Sequence, residues 1–148
     1  MSMMTIDELL RTKEIKEVWS VAADQAVYVA LQVMAQKDIG AVLVVENGQI
    51  AGIFSERDYA RRIILKGKSS LATPVREVMT AGIVTITPEA TVEECMELMT
   101  DHHIRHLPVL DGDKIVGIVS IGDLVNWIIS AQHTAISQLQ TYIAGVPG

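Results

Sequence analysis

The chain has 148 residues, of which 49% are hydrophobic and only 4% aromatic, so it has the size of a single domain with an aliphatic, Met-rich core. A formal net charge of −6 argues against a general nucleic-acid binder, which is normally basic, while leaving room for a local basic pocket. No uncharged apolar run is long enough to span a membrane, and Met1–Arg11 lacks the basic start and apolar run of a secretory signal.

Thr5–Glu17 carries Ile6, Leu9 and Leu10 at helical spacing and predicts a short leading helix. Ala26–Gln36 places Val27, Ala30, Leu31 and Met34 on one helical face. Ala41–Val45 is a β-branched run fit for a buried strand. Glu46-Asn47-Gly48 predicts a tight hairpin turn, because Asn-Gly tolerates positive φ, and Gln49–Phe54 is the returning strand. Ser55 predicts the cap of a helix running to about Leu65, with Glu56 and Asp58 in the first turn, where the helix dipole favours acids. Gly67–Pro74 reads as a linker; its Gly67-Lys68-Ser69 lacks the earlier glycine and the preceding strand of a phosphate-binding loop.

The same plan then recurs. Helix Val92–Asp101 follows Thr87-Pro88-Glu89, and strands Leu107–Leu110 and Ile115–Val119 flank the turn Asp111-Gly112-Asp113. A helix starts at Ser120 and keeps its spacing to about Ile143, and this extension beyond the repeat is a candidate dimer contact. Val21–Ile64 lies on Ile86–Ile129 without a gap at an offset of 65 positions, and a further echo joins Ile15–Trp19 to Val75–Met79. A repeated unit usually cannot bury its apolar face alone, so two copies suggest a pair packed face to face, with function at the seam. Cys95, the only cysteine, excludes an intramolecular disulfide and points to a cytoplasmic protein. Within the pattern Val92, Cys95, Met96, Met99 it reads as a small buried hydrophobe. The stripe Met34, Met79, Met96, Met99 reads as core packing.

The strongest chemical pattern is Gly–Ile–x–Ser–x–x–Asp, present as Gly52–Asp58 and again as Gly117–Asp123. Glycine lets a backbone or a flat ligand approach the strand. The acid can accept two hydrogen bonds from a vicinal diol, as acidic residues do for ribose. The serine and the helix-start amides suit a neighbouring oxygen. The plainer reading, that Ser and Asp only cap the helix, stands beside it. Arg57, Arg61 and Arg62 cluster on the first motif helix, and Arg105 and His106 precede a strand. Arginine offers permanently charged, bidentate phosphate contacts, although Arg61 and Arg62 also suit a solvated helix face. His102, His103 and His106 lack a partner carboxylate at a recognised metal spacing, so no metal site is expected.

With both motifs in place, the chain resembles the cystathionine-β-synthase (CBS) domain pair, or Bateman module, over roughly residues 15–130. Ser55–Tyr59 and Met99–Val109 look especially like stand-alone pairs of bacteria and plant organelles. The resemblance implies a mixed α/β (α+β) fold of tandem repeats, each β-α-β-β-α, packed as a pseudo-two-fold pair. The expected division is a helical extension (1–14), repeat one (15–70), repeat two (71–130) and a helical tail (131–148). It also implies a non-catalytic, energy-sensing module that binds AMP first and NAD(H) second, with ADP, ATP or S-adenosylmethionine possible, in clefts between the repeats. One site would join Asp123, Ser120 and Gly122 to Gln25, Ala30, Ile39 and Gly40. The other would join Asp58, Ser55 and Arg57 to Ala90, Cys95, Ile104 and Arg105. A homodimer and a separate effector protein are implied, with neither nucleic acid nor membrane as partner. The alternatives are a structural dimerisation module with vestigial pockets, or an enzyme that processes nucleotides.

Overall fold

The computed structural model describes residues 4–12 and 18–143, apart from the side chains of 142 and 143, and divides into two compact units. One unit runs from Glu17 to Val84; the other joins Met1–Lys16 to Thr85–Gly148. The first unit contains β1 (Ser20–Ala22), α2 (Val27–Lys37), β2 (Ala41–Glu46), β3 (Gln49–Ser55) and the short α3 (Glu56–Asp58). The second contains α1 (Ile6–Thr12), α4 (Val92–His102), β4 (His106–Asp111), β5 (Lys114–Ser120) and α5 (Ile121–Ile143).

In the first unit β1 runs parallel to β2, which pairs antiparallel with β3. The hairpin turns where expected: Asn47 and Gly48 both have positive φ, 54° and 76°. β2 buries Ala41, Val42, Leu43 and Val44 in succession, the continuous apolar run of a strand covered on both faces. Val27, Ala30 and Met34 of α2 pack with Val42, Val44, Phe54 and Ile63. In the second unit β4 and β5 repeat the hairpin, and even the irregularity recurs: the register shifts between Val44 and Val45 and between Val109 and Leu110. The counterpart of β1 shrinks to a single parallel bridge, Ile86 to Val109. The helices α2 and α4 each end on a left-handed residue, Asp38 (φ 53°) and His103 (φ 55°), so His103 sits at a helix cap.

The winding after α3 departs from the sequence expectation. An α-helix from Ser55 to about Leu65 was expected, but Tyr59–Ile64 winds as a π-helix, with the Leu65 N–H reaching back five residues to the Ala60 carbonyl at 3.1 Å. The matching stretch of the second unit lies inside the regular α5, which extends to Ile143 as expected.

The repeat boundaries mark where the pattern recurs along the chain; the compact units cut it elsewhere. In the first unit the linker returns to the sheet: Val27 N–H donates to the Thr73 carbonyl (2.9 Å), and Val75 N–H to that of Gln25 (2.8 Å). Arg76 N–H completes the pattern on Ala23 (3.0 Å). The second unit makes the same three bonds with the N-terminal segment: Val92 to Met4 (3.0 Å), Ile6 to Ala90 (2.8 Å) and Asp7 to Pro88 (2.9 Å). Ile6 and Leu9 are buried there as Val75 and Val78 are in the first unit. Ile6–Leu10 is thus the structural counterpart of Val75–Met79. The echo read at Ile15–Trp19 falls largely on residues 15–17, outside the described residues.

Candidate functional site: two capped carboxylates

Each unit presents its motif acid at a strand-to-helix turn. In the first, Asp58 N–H donates to Ser55 Oγ (3.2 Å), while Ser55 N–H and Oγ–H both donate to Asp58 Oδ2 (3.0 and 3.1 Å). This reciprocal pattern is a capping box. In the second, Asp123 N–H donates to Ser120 Oγ (3.1 Å) and Ser120 N–H donates to Asp123 Oδ2 (2.8 Å). The plainer reading of the motif is therefore realised in both units, and any ligand contact comes in addition to the cap.

Around this shared frame the two sites differ. Asp58 is only 8% exposed, and its second oxygen, Oδ1, accepts the Thr80 hydroxyl at 3.0 Å. Arg62 Nε lies 3.9 Å from the same oxygen, while its Nη1 donates to the carbonyls of Val78 (3.1 Å) and Met79 (2.7 Å). The Arg62 guanidinium thus ties the π-helical segment to the returning linker. Asp123 is half-buried, and the residue matching Arg62 is Trp127. Sequence reasoning passed over Thr80. Its signal was the glycine before the motif, whose missing side chain demands a close neighbour: a Cβ on Gly52 would meet the Thr80 carbonyl oxygen at 2.6 Å. At Gly117 the neighbour is Leu10 Cδ2, at 2.9 Å. Both close approaches are made by the chain itself.

The remaining predicted residues fall as follows. The Gly40 carbonyl accepts the Glu56 N–H (3.1 Å) and that of Arg105 accepts the Ile121 N–H (2.9 Å), so each stands at the motif turn of its own unit. His106 pairs with Ser120 across the β4–β5 ladder. Gln25 Oε1 accepts the Ala22 N–H at 2.8 Å, closing the turn before α2. Ala90 lends its carbonyl to Ile6, and Ile39 and Ile104 are half-buried beside their helix ends. Ala30 and Cys95 are wholly buried. Burial first, and the nearby Glu94 charge second, push the Cys95 thiol up from 9.0 to about 11, so it is protonated at neutral pH. Arg57, Arg61 and Gly122 are exposed on the motif helices. Among the described residues, no group of three or more His, Cys, Asp or Glu is placed to hold a metal ion, and no helix is long and apolar enough to cross a membrane.

Twin strand-turn-helix units, each closing on a capped aspartate, define a tandem-repeat module. The CBS domain model matches residues 6–65 and 75–130, so the chain belongs to the CBS domain family. It is 42% identical over 127 residues to the mitochondrial CBS domain-containing protein CBSX3 of Arabidopsis thaliana, covering 82% of this chain and 62% of that protein. The chain thus spans under two thirds of that relative's length. The solved structure of a putative signal-transduction protein with CBS domains from Burkholderia ambifaria aligns with a TM-score of 0.84 and 47% identity, covering 87% of this chain and 96% of the other. A more distant structure shares the fold at 20% identity and a TM-score of 0.76, covering 88% and 99% of the two chains: the CBS domain pair of protein MJ0100, solved with 5-methylthioadenosine and S-adenosyl-L-methionine.

Proposed function

We propose that this chain is a regulatory module that binds an adenosine-type ligand at its motif carboxylates, AMP first and NAD(H) second, and acts on a separate partner protein. The observation that carries the reading is the twofold occurrence of one carboxylate frame, in Ser55–Asp58 and Ser120–Asp123, within a CBS pair. A carboxylate whose position is fixed by a backbone N–H is pre-organised to accept ribose hydroxyls without an ordering cost. Exposed cations at the same turns, Arg57 and Arg61 in one unit and Arg105 in the other, suit the phosphate end. MJ0100, which shares the fold, was solved with two adenosyl ligands, and this agrees with the ligand class.

Fixed hydrogen bonds on both acids suit holding a ligand, which supports a binding module. A ligand shifts conformation only by as much as it prefers one state, and AMP would act on the partner through that preference. The test is calorimetry of the full chain against AMP, ADP, ATP, NAD(H) and S-adenosylmethionine, with mass spectrometry of whatever small molecule co-purifies. Saturable heat with an adenine nucleotide supports the reading. No heat and no melting shift with any of them supports a structural dimerisation module, the reading that the closed cap of Asp58 favours.

We also propose that two copies of the chain pair through α5. Val125, Ile129, Ile136 and Leu139 are 42–60% exposed, and with Gln132 they follow the 4-3-4-3 spacing of a coiled-coil seam. No Asp, Glu, Lys or Arg occurs from Leu124 to Ile143, so a self-pairing places no like charges together.

A further inference from the structure

Asp58 does more in this fold than cap a helix. A carboxylate offers about four lone-pair directions, two on each oxygen. Here both directions of Oδ2 are taken by Ser55, through its N–H and its Oγ–H. One direction of Oδ1 is taken by the Thr80 hydroxyl, and the Arg62 guanidinium stands alongside. The side chain is almost wholly enclosed. With Oδ2 filled by the cap, two ribose hydroxyls must both be accepted by Oδ1, one of whose two directions is held by Thr80, so that donor must give way. Ser55 belongs to the cap itself, because its Oγ also accepts the Asp58 N–H. Thr80 comes from 22 positions further along the chain and belongs to another segment.

We propose that the Thr80 hydroxyl is an internal competitor for ribose at Asp58, so that ligand binding there breaks one of the ties that hold the Met79–Thr80 segment to the motif helix. This rests on the adenosine-ligand reading of Asp58. Thr80 is seated on β3 by two backbone bonds, its N–H to the Ile53 carbonyl (2.8 Å) and its carbonyl from the Ile53 N–H (3.0 Å). Met79 is held by Arg62 through its carbonyl. Losing the hydroxyl bond loosens this short strap. The strap leads directly, along the chain, into residues 81–84, after which the second unit resumes at Thr85.

The matching place in the second unit carries a different residue. Aligning Leu10 with Met79, the residue that matches Thr80 is Arg11, whose guanidinium donates to Asp7 Oδ2 at 2.8 Å.

The experiment is AMP calorimetry in an Asp123→Ala background, which leaves Asp58 as the motif acid to be read. Thr80→Val, which removes the hydroxyl and keeps the shape, tightens AMP binding by roughly three- to tenfold, the weight of one hydrogen bond. Thr80→Ser, which restores the donor, returns the affinity to that of threonine. Affinity unchanged or weakened by valine overturns the competition while leaving the functional reading intact. Failure of the wild-type chain to bind AMP or NAD(H) at all overturns both. A second readout needs no variant: on saturating the wild-type chain with AMP, the amides of Ile53 and Thr80 exchange hydrogen faster, and unchanged protection overturns the inference.

Discussion

Replacing Gly52 with alanine places a Cβ 2.6 Å from the Thr80 carbonyl oxygen and 2.8 Å from Met79 Sδ. Ordinary contacts between such atoms begin roughly 0.8 Å further out, and packed interiors do not yield that distance without loss. Met79 can turn its thioether aside. The Thr80 carbonyl cannot, because it is backbone and already accepts the Ile53 N–H. Overpacking of this kind costs about 2–3 kcal/mol. The alanine returns about 0.4–1 kcal/mol by stiffening the unfolded chain, leaving a net loss of about 2 kcal/mol. For a chain of this size that lowers Tm by roughly 4–8 °C. Gly117→Ala is the internal control: its Cβ meets the Leu10 Cδ2 methyl at 2.9 Å, the far end of a side chain that can rotate. It shifts Tm by no more than about 2 °C. Urea denaturation and calorimetry of both variants decide the matter. Equal shifts would refute the claim that backbone contact at one glycine and side-chain contact at the other set the difference.

Three further outcomes follow from burial and exposure elsewhere in the chain. Cys95, buried and with its thiol pushed up to about 11, reacts with iodoacetamide at pH 8 only after denaturant is added; mass spectrometry showing labelling of the native chain would contradict its burial. Because the unfolded thiol loses its proton first, its contribution to stability is complete below pH 9 and declines between about pH 9 and 11, and a Cys95→Ala variant lacks that component. On α5, Ile136→Glu with Leu139→Glu converts a dimer to a monomer in sedimentation analysis, since each seam position would then carry facing charges. A wild-type monomer, or a dimer indifferent to both changes, contradicts the pairing.

Much of the fold was legible because its signals are local. Asn47-Gly48 announced the hairpin, Ala41–Val45 the buried strand, and the 65-residue offset repeated both, down to the paired irregularities at Val44 and Val109. What stayed hidden depends on partners distant in sequence. Nothing in Met4–Leu10 signals that it completes the second repeat; only its bonds to Pro88, Ala90 and Val92 do so. The π-winding of Tyr59–Ile64 accompanies the grip of Arg62 on Val78 and Met79, a contact no periodicity shows. At the site, the Ser–x–x–Asp spacing identified the acids and their caps. The Thr80 bond was invisible because it joins positions 22 apart through a fold not yet built.

The central claim is that an aspartate capped at the start of a helix also holds the sugar of an adenine nucleotide. Calorimetry of AMP binding to the wild-type chain and to Asp123→Ala tests it most directly. Loss of a charge-assisted pair of hydrogen bonds weakens the site of Asp123 by about 1–3 kcal/mol, on the order of ten- to a hundredfold. Equal affinities in the two proteins, with both fully folded, would contradict it.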